Sequence, residues 1–342
     1  MTMFAQLTLF ILFVAAILGM PGRAFGQEPF YRRKVLRIIV GFAPGGGYDT
    51  YTRLLSRHLG KHIPGNPSVV VENMAGANSL ICANHIYRVA KPDGLTMANF
   101  IGGLFLQQLL AKPGIEFDAR RFEYVGAPSH DDFVVGVSKA TGITSLDQWL
   151  ASKTLVKFGG ASFGAGTDDF PVLLRALIGL PIQMVTGYKG TSEMRLAFSS
   201  GEIGGISNSW QSTRSTWRRE VETGELQLVF QAAFKSHPDL TKVPVVGDYV
   251  KSEDGRKLLQ ALIQVHSASV RPYVLPPNTP KDRVQLLRSA FAETVKDNDF
   301  LVEAQKGNLE INPVGGEALA KRVQGVLQLE SGSVTRLKEI LR

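Results

Sequence analysis

The sequence predicts an α/β protein of two domains with a ligand cleft between them. Three observations lead there. The chain has 342 residues, more than one hydrophobic core usually holds, because cores stop growing at about 250 to 300 residues. Apolar, strand-like runs alternate with glycine turns and helix-like stretches, the pattern of strand–turn–helix units on a largely parallel sheet. This alternation occurs in two separate regions. The expected division is domain 1 over 27–127 plus 248–342 and domain 2 over 128–247, with 1–26 as a signal peptide.

In the first region VLRIIV, from Val35 to Val40, ends in APGGGYD and leads into TYTRLLSRHLG. SVVVEN then ends in MAGAN and leads into SLICANHIYRVA, and PDGLTMANFIGG adds a further strand and turn. In the second region LVKFGGASFGAGTDD leads into FPVLLRALIGL, QMVTGYKG into TSEMRLAFSSG, and EIGGISNSW closes the unit. Between the two, FEYVGAPSH and DDFVVGVS read as strands that cross from one domain to the other. The last third reads as helices. Asn278-Thr279-Pro280 marks a helix start with Asp282 at the positive end of the dipole. Val284, Leu287, Phe291 and Val295 fall on one face of that helix, which is therefore core.

The N-terminal stretch QLTLFILFVAAILGM is about fifteen apolar residues, shorter than the ~20 of a membrane-spanning helix, and Ala24-Phe25-Gly26 supplies a small-x-small cleavage site before Gln27. Its leading residues carry no Lys or Arg, so an uncleaved anchor is the alternative. No later run approaches a membrane span, and the mature chain is expected to be soluble. The single cysteine, Cys82, excludes an intrachain disulfide and a cysteine metal cluster, and it reads as a small buried hydrophobe. Export without disulfides suits a bacterial periplasm. The net charge of +8 falls to +7 once Arg23 leaves with the leader. Its basic residues are scattered rather than clustered, which argues against nucleic acid and for small anions.

Gly45, Gly46 and Gly47 have no Cβ, so several backbone N–H groups can point into one concavity at the start of a helix. Such a turn reads an anion. Asp49 is placed as N-cap or first-turn acid, with Arg53 four residues on as its partner. A phosphate loop would need Lys where this chain has Tyr48, and an exported chain meets little free dinucleotide, so no cofactor is expected. One such turn could be purely structural. A second, Ser162-Phe163-Gly164-Ala165-Gly166-Thr167, again joins a strand to a helix. Two turns facing each other across a cleft suit a carboxylate.

The stretch Gly160-Ala161-Ser162-Phe163-Gly164 also matches the bare GxSxG pattern of a nucleophile elbow. A secreted α/β hydrolase using Ser162 is thus the alternative from another class. Against it, GAGTDD prolongs the loop where a helix should begin, and only His237 and His266 follow as bases. The histidines show no metal spacing, and no metal is expected; His58 and His62 are placed on a solvent face and His130-Asp131-Asp132 in a loop or at the cleft rim. Trp210 is the tryptophan nearest the expected cleft.

APGGGYDTYTRLLSRHLG, VVVENMAGANSL and AKPDGLTMANF together resemble the N-terminal signature of the Bug receptors, the extracytoplasmic solute-binding proteins of tripartite tricarboxylate transporters. The elements are Pro44-Gly45-Gly46, Asp49, Arg53, Glu72-Asn73, Gly76-Ala77 and Pro92-Asp93-Gly94. The likeness extends through ASFGAGTDD, TGYKGTSEM, SSGEIGGIS and VLPPNTPKDRVQLL, nearly the whole mature chain. The resemblance implies a periplasmic-binding-protein (Venus flytrap, type II) fold, a non-enzymatic receptor, a monomer, a small carboxylate ligand, and large and small integral membrane subunits as partners. A ligand-sensing role in signalling shares the fold. It also implies ligand contacts from Pro44 to Gly47, Asp49, Asn73, Gly76 and Ala77 in domain 1. In domain 2 it implies Ser162, Gly164, Ala165, Gly166, Thr167, Asp168, Tyr188, Ser207 and Asn208.

Three departures stand out. Phe170 replaces a histidine the family usually has, Asn78-Ser79 stands where the family favours glycine, and Asp168-Asp169 puts two acids beside the second turn. Those acids either cap the helix or face the pocket, where they would repel a highly charged ligand.

Overall fold

The computed structural model describes residues 28–129, 132–268 and 271–341. The expected signal peptide, its cleavage point at Gln27, and His130 and Asp131 lie outside the described residues. No helix among the described residues is long and apolar enough to cross a membrane.

Two sheets organise the chain. The first contains β1 (Val35–Val40), β2 (Ser68–Asn73), β3 (Thr96–Asn99), β4 (Glu123–Ala127), β10 (Tyr273–Leu275) and β11 (Val314–Gly315), in the order β11-β4-β10-β3-β1-β2. The second contains β5 (Phe133–Ser138), β6 (Val156–Gly160), β7 (Ile182–Thr186), β8 (Gly205–Ser209) and β9 (Leu226–Gln231), in the order β7-β6-β8-β5-β9. Each sheet carries helices, which gives the two-lobed α/β architecture that the sequence predicts.

The strands fed by glycine turns are parallel, as their helical connections require. β1 pairs in parallel with β2 and β3, and β6 with β7 and β8. Antiparallel pairing appears where the chain changes lobe. β5 runs against β8 and β9, and β10, the returning strand, slots between β3 and β4 against both. The two strands expected to cross between domains each lie in one sheet, β4 in the first and β5 in the second, and the chain changes sheet between them. The insertion of β10 leaves little trace in the sequence, because three buried residues carry little periodic signal.

Five helices position the site: α1 (Gly47–Leu59), α2 (Gly166–Ile178), α3 (Thr191–Ser199), α4 (Trp210–Thr216) and α5 (Glu253–Ala268). α5 packs on α2 of the second lobe and on the helix Gly103–Leu109 of the first, so it spans the junction. The predicted C-terminal helix does begin at Lys281 after Pro280, and Val284, Leu287, Phe291 and Val295 are buried. It ends at Thr294, and Asp297 starts the next helix by accepting hydrogen bonds from the Asp299 and Phe300 amides.

His58 is not on a solvent face. It is buried and its Nε2 lies 2.7 Å from Glu303 Oε2, while His62 Nε2 lies 3.2 Å from Asp297 Oδ2. Helix 298–306 covers this end of α1, a tertiary contact invisible to local pattern. Cys82 is fully buried, and burial pushes its thiol up to about 12, so it is inert as a nucleophile.

Candidate functional site

Three helices point their N-termini at one place. The N-caps of α1, α2 and α3 are Gly46, Ala165 and Gly190, and none has a side chain capping the helix. The first N–H groups of a helix lack intrahelical acceptors, and the helix dipole makes that end positive. Gly46, Gly47, Ala165, Gly166, Gly190 and Thr191 all border a single cavity between the lobes, of about 50 Å³. A concentration of uncapped helix starts around it favours an anion.

Arg271, just before β10, borders the same cavity and is fully buried. Its Nη2 donates to Ser209 Oγ at 3.0 Å and to Ser212 Oγ at 2.8 Å, both from the second lobe. The guanidinium lies over the rings of Tyr48 (5.3 Å) and Tyr51 (4.6 Å) of α1. Stacking and hydroxyl contacts hold the planar group in one orientation. Sequence reasoning missed it. The available signal was a cation embedded in the run SVRPYVL, where a buried strand has no obvious use for a charge.

The remaining wall is largely apolar: Phe42, Ile101, Phe133 and Met194. Thr167, Thr191, Asn78 and Asn208 supply polar atoms. Asn78 sits in a run of left-handed residues, with φ of 45°, 52° and 65° at Ala77, Asn78 and Ser79. This costly conformation is held by Ser79, whose buried hydroxyl accepts from the Ile101 amide at 3.0 Å.

The residues singled out from sequence divide into three groups. Gly46, Gly47, Ala165, Gly166, Thr167 and Asn208 border the cavity. A second group builds the turns behind it. Asp49 accepts from Gly45 N at 2.9 Å, Arg53 Nε at 2.8 Å and Asn73 Nδ2 at 2.9 Å, while Asn73 also donates to the Phe42 carbonyl. Burial works to raise the Asp49 pKa, but Arg53, the Gly45 N–H and Asn73 together hold it below the usual value. Ser207 Oγ donates to the Gly166 carbonyl, and the Gly164 amide to Asp169. The third group, Pro44, Gly76, Ala77, Ser162 and Tyr188, does not border the cavity; Tyr188 donates its hydroxyl to Glu202 at 2.7 Å.

Neither acid of the second turn borders the cavity. Asp169 is fully buried, accepts from Gly164 N at 2.8 Å and lies 3.0 Å from His266 Nε2 of α5. His266 packs against Phe170 and Phe133. An imidazole thus reaches this corner from α5, beside the phenyl ring of Phe170. Asp168 is buried against Gly160 and accepts from Thr167 Oγ1 at 2.8 Å. Burial raises its carboxyl pKa to about 7, the Asp169 charge adds to this, and Thr167 with the Ala161 and Ser162 amides opposes it.

The lobes are in contact across the cleft. Gly47 abuts Ser212, Gln107 Nε2 donates to the Phe163 carbonyl, and Gln211 Nε2 donates to Glu310 Oε2 at 2.8 Å. His237, Asp239 and Glu310 bring potential metal-ligand atoms within 4.8 Å of one another, but Arg214 already lies 2.7 Å from Asp239 and 3.6 Å from Glu310. No described histidine is hydrogen-bonded to Ser162. His266 is engaged with Asp169 and His237 with the Asp239 amide, and α2 begins four residues after Ser162 rather than directly behind it.

Two α/β lobes that meet across a cavity are the arrangement of a solute-binding protein. The chain matches the family described as the tripartite tricarboxylate transporter family receptor over residues 52–340, and it belongs to that family. Among known proteins it is 22% identical over 323 residues to the UPF0065 protein in the gbd 5′ region of Cupriavidus necator, covering 93% of this chain and 91% of that one. Among solved structures, BugD, a periplasmic binding protein, superposes with a TM-score of 0.71 at 19% identity, covering 90% of this chain and 97% of the other. MatC of Rhodopseudomonas palustris with bound malate gives 0.70 at 18% identity, with 90% and 99% covered. R. palustris Rpa4515 with adipate gives 0.72 at 19%, with 90% and 98% covered.

Proposed function

We propose that this receptor captures a small carboxylate-containing solute in the periplasm and presents it, in the closed form, to the large and small integral membrane subunits of its transporter. It performs no chemistry on the solute and acts as a monomer. The observation that carries the reading is the convergence of three uncapped helix starts and the buried Arg271 on one cavity between the lobes. A carboxylate there accepts from backbone N–H groups and meets a fixed guanidinium. Because the ligand would bridge both lobes, it binds the closed form better than the open one and shifts that equilibrium. The carboxylates bound by MatC and Rpa4515 support this reading by likeness of fold.

The test is a thermal-shift screen of residues 27–342 against carboxylates of one to three acid groups, amino acids and neutral sugars. A ligand at ~100 times its dissociation constant adds about 2.7 kcal/mol, so carboxylates should raise Tm and neutral sugars should not. A rise with sugars alone would sink the proposal. Turnover of a chromogenic ester that Ser162→Ala abolishes would replace it with the hydrolase.

A further inference from the structure

Two side-chain amides in the cavity wall have polar atoms without a protein partner. Asn78, from the first lobe, is 6% exposed, and neither its Nδ2 nor its Oδ1 is hydrogen-bonded; Asn208, on β8 of the second lobe, is 4% exposed, and its Nδ2 is unpartnered. Both border the cavity. Buried amides left unpaired are costly, and native proteins rarely keep them unless something else completes them. Asn78 is held there at a further cost, by a left-handed backbone that glycine would adopt more readily.

We infer that Asn78 and Asn208 form the second recognition element of the cleft, selecting a monocarboxylate that carries an uncharged hydrogen-bonding group on an apolar body. This deepens the carboxylate reading and rests on it. Asn78 offers one acceptor and two donors. A ligand group satisfies both sides only if it also donates and accepts, as a primary amide or a hydroxyl does. A second carboxylate cannot donate, so it would leave Oδ1 unpaired and set negative charge against it. Among the described residues bordering the cavity, Arg271 is the one cationic side chain, so a dianion finds no second fixed charge. Phe42, Ile101, Phe133 and Met194 in the same wall favour a hydrocarbon or aromatic body on the ligand.

The experiment is isothermal titration of the mature chain and of Asn78→Gly and Asn208→Ala with two matched series. One is hexanoate, adipic acid monoamide and adipate; the other is benzoate, 4-carbamoylbenzoate and benzene-1,4-dicarboxylate. Asn78→Gly suits the left-handed backbone, so it should fold, which its Tm checks. The monoamide of at least one series should bind at least tenfold tighter than both its apolar and its dianionic relatives. Asn78→Gly should erase that preference, bringing the ratio of monoamide to apolar-acid affinity to about one, and Asn208→Ala should reduce it. Dianions binding tightest, or a monoamide preference untouched by either variant, would overturn the inference while leaving the carboxylate receptor standing. Silence from every acid in both series would overturn both.

Discussion

Gly47 of the first lobe and Ser212 of the second meet so closely that a Cβ on Gly47 would stand 2.0 Å from Ser212 Oγ. The serine hydroxyl cannot simply rotate aside, because it accepts from Arg271 at 2.8 Å. Glycine is therefore required here by the approach of the other lobe rather than by its own helix, in which alanine would be preferred.

Gly47→Ala should consequently separate folding from closure. The ligand-free Tm is expected to stay within about 2 °C of the parent, since no buried contact within either lobe is lost. Affinity for the carboxylate identified by thermal shift should fall by 10-fold or more, and the ligand-induced drop in radius of gyration by small-angle scattering should shrink. Parental affinity would show that the lobes need not approach this far to hold ligand.

Arg271→Gln should weaken carboxylate binding by about 2–5 kcal/mol, the range for truncating a buried charged partner. Arg271→Lys is expected to recover only part of this, because the ammonium cannot stack on Tyr48 and Tyr51 while reaching Ser209 and Ser212 together. Isothermal titration reads both.

Asp168 predicts a pH dependence of stability. Its folded pKa of about 7 lies above the ordinary 3.8, so the native state holds a proton that the unfolded chain has released between those values. The contribution is complete below about pH 4 and is lost as pH rises through 7. Asp168→Asn should flatten Tm against pH between 5 and 8 and raise Tm at pH 8. The ceiling on this effect is on the order of 4 kcal/mol, three pKa units at ~1.4 kcal/mol each. Ligand affinity should follow the same titration. Protonated Asp168 can donate to Thr167 and free that hydroxyl's proton for a bound carboxylate, whereas ionised Asp168 takes the proton for itself.

His266→Ala should destabilise the chain by about 3 kcal/mol, as expected when one partner of a buried pair is removed and the other stays behind. Asp169 would keep only the Gly164 amide, and the ring packing against Phe133 and Phe170 would open. Chemical denaturation measures the loss; a change under 1 kcal/mol would mean that solvent repairs the corner.

The α/β class, the strands flanking the crossover and both glycine turns were legible because each is written in consecutive residues: apolar runs, then glycines, then a helical face. The turn residues that border the cavity, from Gly46 and Gly47 to Gly166 and Thr167, belong to that local grammar. Arg271, Asn78 and Thr191 do not. Arg271 owes its place to a three-residue strand whose partners lie far away in sequence, and Asn78 projects into the cavity only because Ser79 ties the turn to Ile101. Asp168 and Asp169 look like candidate pocket acids in sequence, yet they turn inward, since α5 brings His266 to one and Gly160 leaves room for the other.

The position of β10 has a consequence for how the molecule comes into being. It is an interior strand of the first sheet, yet it is contributed by residues that follow the entire second lobe. As the chain emerges N-terminus first, β3 and β4 must wait with bare edges while more than a hundred later residues are made, and long-range pairing of this kind is slow. The strands of the second sheet are continuous in sequence and can pair in the interval. The second sheet can thus be completed before the first, and a chaperone guarding the waiting edges would have its longest task at β3 and β4.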